Sequence, residues 1–474
     1  MFRISKEARL KKDILEYLDN QSDSLFFNEM LLAFPEISMS TLQKKCHELN
    51  EVIQATYSDG SVQLIINKRT GIRLLRHSNN LEKVIENLIT EELPYQLAKR
   101  FIYANSIDSK VLCEELNISF SQLRRKTNLI NNSINRYDLH MTVSHQIKIF
   151  GSELMRRANL IFALSTTHRN FSTIAWIENP DRYIKQGQLI LNYLNITPNN
   201  SLIQSFALLT FVNECAINNN RQIIFHNDLH HLIDNTNFPK KPGFLVNWED
   251  NDWCFFILMI YSSASSDYKL DFAPDFYALI ANDSSIRRWF SIFNQHFPAL
   301  NQQQKTTVLD ELIRGYVTDQ LLNIDYMFWD VHLNETVNTM NHYYPVFYQK
   351  FLRFWTALSD NSAAPLSEYM RLRYLFISQL VFPLETFIPT VQVYMDSNLM
   401  LVMEALVQSR IKMFFRNSFD VQFTDNIKDA NFILTTSNYY IYTKEDRQKV
   451  ILFEPPLSDN DLTYMHGCFS SLFH

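Results

Sequence analysis

Glycine is so scarce in this chain that it restricts the folds the chain can adopt. Only seven of the 474 residues are glycine, and no two stand closer than 11 positions. Loops that hold nucleotide phosphates need clustered glycines, because only glycine lets the backbone approach the phosphates closely. The sequence therefore disfavours dinucleotide-binding enzymes and P-loop nucleotidases. Few glycines combined with long stretches of helical apolar periodicity predict a mainly α-helical protein.

Cysteine usage, charge and hydropathy narrow the class of protein further. The five cysteines are isolated and form no Cys-x-x-Cys pair, which argues against a disulfide framework or a zinc site. Residues 1–150 carry 20 Lys and Arg against 18 Asp and Glu, although the whole chain has a net charge of −6. This balance favours an anionic partner for the amino-terminal third. No signal-peptide pattern or membrane-length apolar run is present, so we expect a cytoplasmic protein.

The first 151 residues show the same pattern twice. Residues 1–78 predict helices, one of which begins at Ser38, followed by a hairpin that turns at Asp59-Gly60. Residues 79–151 predict two amphipathic helices, helices capped by Asp108 and Ser119, and alternating strands. Both segments have the order of a winged helix-turn-helix. We expect the second segment to be the principal DNA-binding unit.

The remaining residues predict a different architecture. Residues 152–390 contain many helical stretches and separate into two helical bundles, 152–280 and 281–390. Residues 391–474 alternate short apolar strands with helices, which is typical of a small α/β domain with a parallel sheet. The predicted fold is therefore a mainly α, multidomain protein with an α/β domain at its carboxyl end.

The helix that begins at Ser119 carries the strongest candidate site. Residues at helical spacing form its predicted buried stripe: Phe120, Leu123, Thr127, Ile130 and Ile134. The other side carries residue types that contact base edges and phosphates in a major groove. These candidate DNA-binding residues are Ser121, Gln122, Arg124, Arg125, Lys126, Asn128 and Asn131.

A weaker version of this pattern occurs in the first winged segment. Gln43, Lys44 and Lys45 lie on the outward face of the helix that begins at Ser38. Glu48 lies on the same face, and its charge would repel phosphate. This segment could contact DNA, or it could instead serve a structural or dimer-forming role.

Histidines form the remaining candidate cluster, around residues 226–231. His226 and His230 have the spacing of two metal ligands on a helix, with Asp228 and Asp234 nearby, but position 227 is Asn and the zinc-protease motif is incomplete. Solvated or capping histidines and phosphoacceptor histidines are the other interpretations. No motif predicts a cofactor, and no nucleophile pattern predicts an enzyme.

The order of these segments resembles the Mga/AtxA-type virulence regulators of Gram-positive bacteria. The resemblance depends most on residues 118–126 (ISFSQLRRK) and 149–162 (IFGSELMRRANLIF). It implies a DNA-binding transcriptional regulator with two phosphotransferase-system (PTS) regulation domains and an EIIB-like domain that supports a homodimer or higher oligomer. Phosphocarrier proteins of that system would then be partners. The resemblance implies these possible phosphoacceptors: His226, His230, His231, His332 and His342.

Two departures from the family pattern bear on phosphoryl transfer. An EIIB domain has its reactive cysteine after the first strand, but residues 394–398 contain none, and Cys468 lies in the last helix. Met259 stands where a regulation domain has a histidine. We therefore expect an EIIB-like domain that has lost transfer chemistry. The alternatives are an RNA-binding antiterminator, a PTS-associated protein without DNA binding, or an enzyme of sugar metabolism or phosphoryl transfer.

Overall fold

The computed structural model is mainly helical and ends in a small parallel sheet, which confirms the predicted fold class. Backbone contacts divide the chain into two compact units, residues 1–276 with 314–323, and residues 277–313 with 324–474. None of the described helices combines the length and the apolar content needed to cross a membrane. The structure describes residues 5–67, 69–263, 267–322, 337, 340–341, 344–362, 366–437, 442–443 and 446–473, without the side chains of residues 227 and 228.

The first winged unit consists of three helices and a hairpin around one buried apolar core. Its elements are α1 (Lys6–Asp19), α2 (Phe27–Ala33), α3 (Met39–Thr56), β1 (Val62–Asn67) and β2 (Gly71–Arg76). Ser38 caps α3 through its side chain, as predicted. Leu25 pairs with Ile72 of β2, which adds a third extended segment to the hairpin.

The hairpin lies later in the chain than the sequence predicted. Helix α3 continues to Thr56 because buried side chains recur at helical spacing beyond the predicted end near residue 50. The prediction of a hairpin turn at Asp59-Gly60 was therefore wrong. These residues connect α3 to β1, and the two strands are joined between Asn67 and Gly71.

The second winged unit has the elements that the sequence predicted and one additional strand. Its elements are α4 (Glu82–Thr90), α5 (Leu93–Tyr103), β3 (Ser106–Asp108), α6 (Ser109–Glu115), α7 (Phe120–Ile134), β4 (His140–Val143) and β5 (Gln146–Phe150). The strands form an antiparallel sheet in the order β3-β5-β4. Strand β3 was not predicted, because three residues are too short to show a periodic pattern.

Two glycines allow close backbone approaches in the winged units, one at the start of β2 and one just after β5. Gly71 has φ +88°, and a Cβ atom there would lie 2.4 Å from the Leu25 carbonyl oxygen. Gly151 has φ +125°, and a Cβ atom there would lie 2.2 Å from the Asp138 carbonyl oxygen. Residues with side chains rarely adopt such φ values. Two of the seven glycines are therefore needed for the close packing of the backbone at the wings.

Helices make up most of residues 152–390, as expected. The elements are α8 (Glu153–Thr167), α9 (Pro180–Tyr193), α10 (Asn200–Asn218), α11 (Asn227–Asp234), β6 (Thr236–Asn237), α12 (Asp250–Ser263), β7 (Asp271–Phe272), α13 (Pro274–Ala281), α14 (Ser284–His296), α15 (Gln302–Leu322), α16 (Pro345–Asp360) and α17 (Glu368–Val381).

Buried arginines connect α5 of the second winged unit to the helices that follow it. Arg157 is fully buried and donates hydrogen bonds to Asp252 (2.6 Å) and to the Arg221 carbonyl oxygen (2.7 Å). Arg221 and Arg156 in turn donate to the Phe101 carbonyl oxygen, at 2.9 and 3.2 Å. The free carbonyl groups at the end of α5 are thereby satisfied inside the protein, which fixes this end of the winged unit.

The carboxyl-terminal domain is an α/β layer whose strands and helices match the predicted ones within a few residues. Its elements are β8 (Thr390–Asp396), α18 (Leu401–Phe415), β9 (Asp420–Thr424), β10 (Phe432–Thr435), β11 (Val450–Leu452) and α19 (Asp459–Ser470). The four strands are parallel in the order β11-β10-β8-β9. Apolar side chains from the strands and from both helices form a separate core.

Candidate nucleic-acid interface

Helix α7 begins with a capping box formed by Ser119 and Gln122. The Ser119 hydroxyl accepts a hydrogen bond from the Gln122 amide (3.2 Å), and the Gln122 side-chain oxygen accepts one from the Ser119 amide (2.8 Å). The predicted helix start at Ser119 is confirmed. Because the box satisfies two backbone amides, it fixes the geometry of the first turn. It also engages the Gln122 oxygen, so that the side-chain amino group is the part left for a DNA base.

Most of the predicted polar face of α7 is exposed to solvent. In the part of the chain that the structure describes, no hydrogen bond or ion pair engages the charged groups of Arg124, Arg125 or Lys126. Three neighbouring cations without a carboxylate partner are suited to phosphate groups. The exposed candidates on this helix are Ser121, Gln122, Arg124, Arg125, Lys126 and Asn128.

Asn131 is an exception and does not lie on the exposed face. Its side chain is buried, donates a hydrogen bond to the Met141 carbonyl oxygen and accepts one from the Met141 amide, both at 2.8 Å. The prediction that Asn131 faces DNA was therefore wrong. A carboxamide can pair with both backbone groups of one residue, and here this pairing holds strand β4 against α7.

Phe120 was predicted to be buried but is exposed. The predicted stripe is buried at Leu123, Thr127, Ile130 and Ile134, but Phe120 exposes 47% of its surface. It occupies the first position of α7, one turn before the packed stripe begins. The aromatic ring is therefore about half exposed rather than enclosed in the core.

The wing beside α7 is held in place at its turn, and this region exposes two polar residues that the sequence analysis did not select. The Ser109 amide donates to the His145 carbonyl oxygen (3.0 Å), and the Ser109 hydroxyl donates to the Ser144 carbonyl oxygen (2.7 Å). Lys148 on β5 and Asn132 on α7 are exposed. The polar side of the alternating strand pattern could have identified Lys148.

The matching helix of the first winged unit, α3, has a partly neutralised face. Gln43 and Lys44 are exposed, but the Lys45 side chain is only 12% exposed, and its ammonium group binds the carboxylates of Glu7 and Glu48. The prediction that Lys45 is an outward DNA-contacting residue was therefore wrong. Its ion pair with Glu7 connects α3 to α1.

Glu48 carries the negative charge on this face of α3, and its ion pairs with lysines keep it ionised. Hydrogen bonds from Lys11 (2.8 Å) and then from Lys45 (2.9 Å) lower the pKa of the Glu48 carboxyl below its ordinary value. Glu48 therefore stays ionised at neutral pH and opposes phosphate binding. By charge, α7 is the better candidate for the recognition helix.

Three of the five candidate phosphoacceptor histidines, His226, His230 and His231, lie in or just before α11, where they are exposed. His230 uses Nε2 to contact the Phe225 carbonyl oxygen (3.0 Å), whereas His231 uses Nδ1 to contact the Asn235 side chain (3.1 Å). His226 precedes the first turn of α11. Over the described ranges, no group of three or more metal-ligating side chains comes together. His332 and His342 lie outside the described residues.

The end of β8, where an EIIB domain would carry its reactive thiol, has hydrogen-bonded carboxylates instead. The Tyr442 hydroxyl donates to Asp396, and the Ser397 hydroxyl donates to Glu404 (2.7 Å). Cys468 lies on α19. This arrangement offers no nucleophilic sulfur at the strand end.

A winged helix-turn-helix with an exposed cationic recognition helix defines a class of DNA-binding proteins. Residues 77–162, which extend from the end of the first wing into α8, match the model of the Mga helix-turn-helix domain. This segment is therefore similar to the domain that the sequence resemblance indicated, and the match supports an Mga-type, DNA-binding transcriptional regulator. The match ends at residue 162, so the assignments of the later residues remain predictions. No curated protein matches the chain.

Proposed function

We propose that the second winged unit binds promoter DNA through α7, and that the chain is a regulator rather than an enzyme. The observation that carries this proposal is the exposed group of Arg124, Arg125 and Lys126, which has no partner among the described residues and lies on a capped helix within the matched segment. Ser121, Gln122 and Asn128 would contact base edges or phosphates beside these cations. In the first unit, Gln43 and Lys44 would add secondary contacts. Such a protein acts in the cytoplasm, where promoter DNA lies.

Dimerisation through the carboxyl-terminal domain is the second part of the proposal. Helix α18 exposes Val402, Leu406 and Met413 on one side, and the first two expose 80% and 61% of their surface. An apolar face of this kind marks an interaction site. A second copy of the chain is the simplest cover, because most soluble oligomers are symmetric homo-oligomers. A dimer would present two α7 helices to half-sites separated by about one turn of DNA or a multiple.

Control by phosphorylation is the third part of the proposal. Here residues 152–390 are assigned as two PTS-regulation-like domains, as the family resemblance implies. His230 and His231 support this control because each is exposed and each uses one ring nitrogen in a hydrogen bond within the described residues. A phosphoryl group adds nearly two negative charges and would displace or attract a neighbouring element. His226, His332 and His342 are further candidates, and a phosphocarrier protein would be the donor.

The proposed DNA binding is tested by gel-shift titration with random duplex DNA of a few hundred base pairs over a series of salt concentrations. Each phosphate neutralised contributes about −0.9 to the slope of log affinity against log salt. Arg124→Ala with Arg125→Ala should weaken binding about 10-fold or more and reduce the steepness by about two units.

The matched control for this experiment is the adjacent arginine pair on α14, changed by Arg287→Ala with Arg288→Ala, which should leave binding unchanged. Equal binding by both double variants would contradict the placement of the recognition helix. Absence of binding by the unchanged protein at low salt, or stronger binding to a structured RNA, would contradict the DNA-binding function itself.

A further inference from the structure

Phe120 is exposed at the amino end of α7, the proposed recognition helix. It is the first residue of α7, and 47% of its surface is exposed. In helix-turn-helix proteins, the residues at the amino end of the recognition helix contact base edges. No ring-ring or cation-ring contact in the described residues involves Phe120. The fold therefore leaves this ring available to a partner.

The chemistry around the ring indicates the kind of partner. Ser121 follows it directly, and Arg124 and Arg125 lie about one turn further along α7, all of them exposed. These cations would draw this end of the helix toward phosphates, and the exposed ring would approach the groove with it. In the major groove, the principal apolar feature of a base edge is the C5 methyl group of thymine, and phenylalanine is one of the side chains that contact it.

We propose that Phe120 contacts a thymine C5 methyl group in the major groove and so gives the protein a preference for A·T pairs at that position. This inference rests on the proposed DNA-binding function and assigns to it a specificity-determining residue. The arginine side chains would contribute affinity for any DNA sequence, whereas Phe120 would distinguish between base pairs. A cation-only helix would bind DNA with and without thymine methyl groups equally.

The test compares DNA that contains or lacks the methyl group. Duplexes that the unchanged protein binds are selected from a random pool and then amplified with either thymidine or deoxyuridine triphosphate. Deoxyuridine keeps every hydrogen-bonding group of thymidine and removes only the C5 methyl. Loss of one buried methyl contact should weaken binding by the unchanged protein about fourfold. Phe120→Ala should bind both DNA forms with similar affinity, and Phe120→Leu should retain most of the discrimination.

Leu129→Ala is the matched control, because Leu129 is a second exposed apolar residue on α7, with 63% of its surface exposed, nine positions after Phe120. This variant should discriminate as the unchanged protein does. Equal affinity of the unchanged protein for both DNA forms would overturn the role of Phe120 while leaving DNA binding intact. So would discrimination that persists in Phe120→Ala or disappears in Leu129→Ala. Failure to select any duplex would instead reject the proposed function.

Discussion

Asn131 is a polar side chain of the candidate DNA-binding helix that stabilises the protein itself instead of being available to DNA. Asn131 is buried among the residues of α7 and pairs with both backbone groups of Met141. The helix and the wing are therefore joined by a side chain as well as by the chain connection. At the same scale, Lys45 joins α3 to α1, and Phe120 is left outside the core. The roles of Asn131 and Lys45 depend on partners in other elements, which helical spacing does not reveal.

Replacing Asn131 should destabilise the second winged unit. Asn131→Ala leaves the Met141 amide and carbonyl without these partners in a buried setting, which costs about 2 kcal/mol or more of unfolding free energy. The neighbouring exposed change, Asn132→Ala, should alter stability by less than about 0.5 kcal/mol. Urea unfolding and hydrogen exchange of the Met141 amide measure both variants. Equal stability of the two would contradict the structural role of Asn131.

Elements differ in how far the sequence predicted them. Helix α7 and the carboxyl-terminal strands were predicted within a few residues, because caps and short apolar runs are local signals. The first hairpin was misplaced, because Asp59-Gly60 has the composition of a hairpin turn although the α3 stripe continues to Ile53. Lys45 could not be predicted as paired, because Glu7 lies 38 residues earlier. Local patterns therefore located the elements, and distant contacts decided which candidate side chains stay available.

The junction of α4, α5 and α8 contains a buried histidine that should make stability depend on pH. His168 contacts Glu86 through Nδ1 (2.8 Å) and the Tyr95 hydroxyl through Nε2. Trp176 donates to the same hydroxyl (2.9 Å). The neutral ring satisfies both contacts, and burial lowers the pKa of His168 to about 4. The unfolded chain, with a histidine pKa of about 6.5, therefore binds the proton more readily below neutral pH.

The stabilisation from neutral His168 is complete above pH of about 6.5 and is lost as the pH falls toward 4. Lowering the pH from 7 to 5 should reduce the unfolding free energy by about 2 kcal/mol through this residue. His168→Gln should reduce that pH dependence, and His145→Gln, at an exposed wing position, should not. Urea titrations at the two pH values measure the difference. The same pH dependence in all three proteins would contradict the role of the junction.

At the scale of the whole molecule, the apolar face of α18 should decide the oligomeric state. Val402→Glu with Leu406→Glu places charges on this face and should convert a dimer to a monomer at micromolar concentration, as measured by sedimentation velocity. Leu32→Glu on α2 is the matched control, because Leu32 is exposed to 84% and lies in the first winged unit. A monomeric unchanged protein, or a dimer that survives the α18 change, would contradict assembly through this face.

The exposed face of α18 also has a consequence for how such a regulator would respond to its own supply. If only the paired form occupies two half-sites, promoter occupancy at low concentration rises with the square of the chain concentration. Doubling synthesis would then increase occupancy about fourfold below saturation. The surface of a single helix, far from the DNA-binding residues in the sequence, would thereby make the response to chain concentration steeper than that of a monomeric regulator.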